Sequence, residues 1–81
     1  MGAEEILSFT TEWLSAQLGQ PVLPEANFGA IGMDSLDAVA LTDALADKLG
    51  FDELPVSMVL DYPSALALSE HLASLRDSST A

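Results

Sequence analysis

Apolar residues between Glu4 and Leu18 recur at three- and four-residue steps, as Ile6, Leu7, Phe9, Trp13, Leu14 and Leu18, while Glu4, Glu5 and Glu12 mark the opposite side. That period predicts an amphipathic helix. The two glutamates complement the positive end of its dipole, and Gly19 followed by Pro21 ends it. From Gln20 to Met33 the period is lost, and Pro21, Pro24, Asn27, Gly29 and Gly32 interrupt it repeatedly, which predicts a long loop held to the core by Val22, Leu23, Phe28 and Ile31. A second helix is predicted from Ser35 to Leu49, capped by Asp34 and stopped by Gly50. A short helical turn fits Pro55 to Leu60, and a last helix fits Ser64 to Leu75, with Leu66, Leu68, Leu72 and Leu75 facing inward. The expected fold class is all-α, a small four-helix bundle with a long first connection and a short third helix, in which helices one and two need not be hairpin neighbours.

The second helix carries more apolar surface than one core face requires. Ala38, Leu41, Leu45 and Leu49 make the obvious inward stripe. Leu36, Val39 and Ala40 lie on another side, which continues down the helix to Asp43 and Asp47, with Asp37 beside it. One reading buries Leu36 and Val39 against the long loop. The other leaves them as a docking face, where carboxylates steer a basic partner and the apolar side chains make the contact.

Composition narrows the function. Eighty-one residues make one domain, expected over 1–76, with 77–81 as a polar tail or linker. Thirteen acidic residues against two basic ones give a formal charge of -11, which repels nucleic acid and anionic membranes. The 49% apolar content excludes a disordered acidic tail, and the absence of cysteine excludes disulfides and thiolate metal sites. No metal site is expected. No apolar run approaches the roughly 18 residues of a membrane span, and the first residues have no signal-peptide pattern, so the expected location is the cytoplasm.

Ser35 at a helix start, within Asp34-Ser35-Leu36-Asp37, has an ordinary explanation in capping. The longer run is more specific. Gly32-Met33-Asp34-Ser35-Leu36-Asp37-Ala38-Val39, after a Phe-containing loop and before Leu54-Pro55-Val56-Ser57 and Leu60-Asp61-Tyr62-Pro63-Ser64, resembles the acyl carrier protein family. Across nearly the whole chain it looks most like the carrier domains of modular polyketide synthases. The resemblance implies that Ser35 bears 4'-phosphopantetheine, transferred from coenzyme A by a phosphopantetheinyl transferase. The thiol of the arm then holds an acyl or ketide intermediate as a thioester, in polyketide or fatty acid biosynthesis. A phosphodiester there suits a helix N-terminus.

The same resemblance implies that Met33, Asp34 and Leu36 surround the arm, Asp34 also serving recognition by the transferase. It further implies that Leu36, Asp37, Val39, Ala40, Asp43, Asp47, Val56, Met58 and Asp61 meet partner enzymes. Those partners are ketosynthase, acyltransferase, tailoring and thioesterase domains, and the isolated domain is expected to be a monomer. Val56, Met58, Val59 and Tyr62 would border a cleft beside helix two. No catalytic residue is expected: Ser35 has no base near it in sequence, and His71, the only histidine, lies in helix four without a nucleophile motif. The sequence departs from β-branching carriers, which often place Trp where Leu41 stands, and Gly32-Met33-Asp34 is less like peptidyl carriers. A peptidyl or aryl carrier, or an unmodified helical adaptor docking through Leu36, are the alternative functions.

Overall fold

The computed structural model describes the backbone of residues 2–79 and the side chains of residues 2–76. Four helices follow in order, α1 (Ala3–Leu18), α2 (Ser35–Leu49), α3 (Ser57–Asp61) and α4 (Ala65–Ser79), and the described residues contain no strand. The helix signals read from the sequence operate as local chemistry. Gly19 and Gly50 take left-handed backbone at φ 70° and 79°, and their N–H groups donate back to the carbonyls of Ser15 and Ala46, closing α1 and α2. Ser64 stands just before α4 and its hydroxyl accepts from the Ala67 amide at 3.2 Å.

α1 packs most closely against α4 and less extensively against α2, its neighbour in the chain. The core draws Ile6 and Leu14 from α1, Ala38, Leu41, Leu45 and Leu49 from α2, Met58 and Val59 from α3, and Leu68 and Leu72 from α4. Each fully buried leucine or isoleucine contributes roughly 1.5–3 kcal/mol by leaving water. Thr10, Thr42 and Ser69 are buried as well, and each hydroxyl donates to a carbonyl four residues earlier in its own helix. Arg76 reaches from α4 to the Leu49 carbonyl, satisfying an acceptor at the end of α2.

The loop from Gln20 to Met33 is stitched to the α3–α4 turn. Phe28 N–H donates to the Pro63 carbonyl at 2.7 Å, Leu66 N–H donates to the Pro24 carbonyl at 2.9 Å, and Asn27 and Ser64 form an isolated antiparallel bridge. Val22 and Phe28 are buried, and Ile31 packs partly on the core. Leu23 does not pack: it is 68% exposed. Its neighbour Val22 takes the core position instead.

Two boundaries differ from expectation. α3 begins at Ser57, because Pro55 and Val56 supply the carbonyls that accept from Met58 and Val59 and so form the entry turn. α4 continues to Ser79 through part of the stretch expected as a tail, and neither glycine nor proline follows Leu75 to stop it. Residues 80 and 81 lie outside the described residues. No helix among the described residues is long and apolar enough to cross a membrane.

Candidate functional site

Ser35 is the first residue of α2 and is exposed. Its position is fixed by a reciprocal cap one residue earlier. The Asp34 carboxylate accepts from the Asp37 amide at 2.9 Å, and the Asp37 carboxylate accepts from the Asp34 amide at 3.4 Å. Upstream, Gly32 adopts φ 85°, a left-handed conformation that spares an L side chain a cost of roughly 1–2 kcal/mol. Met33 N–H then donates to the Phe28 carbonyl at 3.2 Å, so the segment entering the helix folds back on the loop. With the Asp37 and Ala38 amides bonded to Asp34, the amides of Ser35 and Leu36 have no partner among the described residues. Two free donors at the positive end of a helix can accept an anion.

A cleft of about 370 Å³ opens beside Ser35. Phe28 and Met33 line it from the loop side, Ala38 from α2, and Val56, Val59 and Leu60 from the α3 segment. Asp34 sits at its polar edge, and no lysine or arginine lines it. A second groove, about 420 Å³, lies elsewhere, between Glu4, Glu5, Glu12 and Phe9 of α1 and Lys48 of α2. There the Lys48 ammonium stands 5.6 Å from the centre of the Phe9 ring.

The expected docking residues separate into surface and core. Leu36 is 78% exposed and Val39 43%, so the alternative that buries them against the loop is excluded. Ala40 and Asp37 are half-buried, and Asp43, Asp47 and Asp61 are exposed. Leu36, Val39, Asp43 and Asp47 climb one side of α2 at helical spacing. From the turn entering α3, Val56 reaches the surface, while Met58 of α3, expected there too, is only 6% exposed and belongs to the core. Its place outside is taken by Leu60, at 80% exposure, which the sequence pattern did not single out for docking. A helix of five residues is too short for its period to reveal which side faces inward.

The Ser35 hydroxyl makes no hydrogen bond to a described residue, and His71 is stacked on Tyr62 at 4.0 Å between ring centres. No group of three or more potential metal-ligating side chains occurs among the described residues.

Comparison with known proteins places this arrangement. The family model described as "Phosphopantetheine attachment site" matches residues 10–72. A phenolphthiocerol/phthiocerol polyketide synthase polypeptide from Mycobacterium tuberculosis is 45% identical over 56 residues, 69% of this chain and 4% of that protein. The erythronolide synthase EryA3 of Saccharopolyspora erythraea is 33% identical over 84 residues, covering 99% of this chain and 3% of its own length. The chain therefore spans a small fraction of the curated relatives it matches. Among solved structures, BlmI, a type-II acyl carrier protein from Streptomyces verticillus, superposes with a TM-score of 0.85 at 19% identity, over 91% of this chain and 89% of that one. A free-standing peptidyl carrier protein from Acinetobacter baumannii gives 0.86 at 23% identity, over 93% and 96%. Both share the fold. The family match runs from α1 through α2 and both of its connections into α4, and the chain belongs to the phosphopantetheine-attachment carrier domains.

Proposed function

We propose that this domain carries acyl or ketide intermediates of polyketide assembly as thioesters on a 4'-phosphopantetheine arm joined to Ser35. The observation that carries the reading is the exposed Ser35 hydroxyl at the first position of α2, beside two amides without partners and next to an apolar cleft. Those donors fit a phosphodiester, and the open surface around Ser35 leaves an arm free to leave the domain. The arm supplies a thiol for thioester chemistry. The protein's own residues hold its root and present it, and the catalytic steps belong to the enzymes that the arm visits.

Identity to segments of polyketide synthases supports a ketide cargo over an aminoacyl one, since the peptidyl carrier shares the fold at lower identity. The proposed partners are a phosphopantetheinyl transferase and then ketosynthase, acyltransferase, tailoring and thioesterase domains. They meet Leu36, Val39 and Ala40 on α2 and Val56 and Leu60 beside it, while Asp37, Asp43, Asp47 and Asp61 attract basic rims. Intact mass after incubation with coenzyme A, Mg²⁺ and a broad-specificity transferase tests the reading. The expected result is a gain of one arm that Ser35→Ala abolishes. Folded protein that gains no mass with several transferases would overturn it in favour of an unmodified adaptor.

A further inference from the structure

α3 is held unequally at its two ends. At its exit, Tyr62 closes the helix by donating its N–H to the Met58 carbonyl, and its ring lies on the His71 imidazole of α4, 4.0 Å between centres and 13° from parallel. The next residue, Pro63, accepts from the Phe28 amide at 2.7 Å. Two successive residues therefore tie the exit to α4 and to the long loop. At the entry, Pro55, Val56 and Ser57 are exposed, no side-chain cap is present, and the carbonyls of Pro55 and Val56 accept only from Met58 and Val59 within the same segment. Both rings of the stack are half-buried, and neither makes a hydrogen bond or ion pair with a described residue. The contact between them is what each ring does, and aromatic pairs attract beyond the area that they bury.

We propose that the Tyr62–His71 stack is a clasp between α3 and α4, and that His71 is thereby a positioning residue for Leu60, the exposed side chain two residues before Tyr62. The clasp makes α3 a strap fixed at its exit and looser at its entry. Leu60 is presented in place, while Val56 at the entry adapts to what meets it. A partner that docks on a loosened Leu60 must order it first, and that ordering opposes binding. This role for Leu60 rests on the proposed carrier function, whereas the clasp itself stands on the fold.

Amide exchange followed residue by residue by NMR tests the clasp. His71→Leu removes the ring and keeps an apolar side chain. It should speed exchange of the Tyr62 amide roughly two- to tenfold, the factor that an aromatic pair is worth. The amides of Met58 and Val59 should keep their native rates, because opening the entry leaves the stack intact. His71→Phe restores a ring and should return Tyr62 to its native rate. In the transferase reaction, His71→Leu should raise KM about twofold at unchanged kcat, with His71→Phe restoring it. A Tyr62 rate that His71→Leu does not move, Met58 and Val59 accelerated as much as Tyr62, or no restoration by His71→Phe overturns the clasp. An unchanged KM alongside faster Tyr62 exchange overturns the positioning of Leu60. If the native protein gains no arm, the carrier reading falls, and the exchange rates still judge the clasp.

Discussion

Asp34 is asked to do two things, cap α2 and present a carboxylate beside Ser35, and two substitutions separate them. In the native cap, the bond from the Asp37 amide to Asp34 is 2.9 Å and the reciprocal one is 3.4 Å, so most of the hydrogen-bond energy lies in the first. Asp34→Ala removes that acceptor and the favourable charge at the positive end of the helix, a loss of about 1 kcal/mol for the cap and a few tenths more for the charge at an exposed site. For a domain of this size about 1 kcal/mol is a fall of roughly 4–8 °C in melting temperature. Asp34→Asn keeps an oxygen able to accept from the Asp37 amide, and asparagine caps as well as aspartate, so only the charge is lost and the fall should be about 2 °C. Thermal unfolding by circular dichroism gives both numbers, and the transferase reaction gives a third. If the charge itself is read by the transferase, kcat/KM drops for Asp34→Asn as much as for Asp34→Ala; if Asp34 is only a cap, Asp34→Asn is modified at the native rate. Equal thermal losses for the two variants, or no loss for Asp34→Ala, would refute the assignment of the cap to this side chain.

Leu45→Ala, which empties a fully buried position in α2, should cost about 2–5 kcal/mol in a urea titration, enough to unfold much of so small a domain. Leu36→Ala should leave stability within about 0.5 kcal/mol, because the side chain is mostly in water, yet lower kcat/KM for transfer of the arm in a mass-based kinetic assay. Gly32→Ala meets open space but a left-handed backbone, so it should lose roughly 1–2 kcal/mol by the same titration, with no repair by a neighbouring side chain. With a formal charge of -11, association with a basic partner should weaken as salt rises, and a flat salt dependence of the association rate would remove electrostatic steering from the docking reading.

The parts of the fold written in local chemistry were readable without the structure. Gly19 and Gly50 end helices by a backbone conformation open to glycine, Asp34 caps by a bond within three residues, and the stripe Ala38, Leu41, Leu45, Leu49 has a period long enough to count. Ser35, too, is located by a run of neighbours. What escaped depends on parts of the chain meeting over long sequence distances. Leu23 and Val22 are equally apolar, and only the bond from Leu66 to Pro24 and the packing of Val22 decide which one is exposed. The exchange of Met58 for Leu60 at the surface follows from how one and a half turns of α3 rest on the core. The burial of Thr10, Thr42 and Ser69 is hidden because a hydroxyl that satisfies itself on its own helix behaves as a small apolar group.

Those three hydroxyls have a further consequence. Each spends its hydrogen bond within its helix, so the polar cross-ties named between segments, at Arg76–Leu49, Phe28–Pro63 and Leu66–Pro24, join helix ends and turns rather than the middle of the bundle. Between these ties the helices are registered by the packing of their apolar side chains, which holds long helices better than a five-residue one. Hydrogen exchange should therefore divide the molecule: the central amides of α1, α2 and α4 open only with global unfolding, whereas α3, without a side-chain cap, opens as a separate unit at lower free energy. The wall of the cleft is thus also the first part of the domain to come undone.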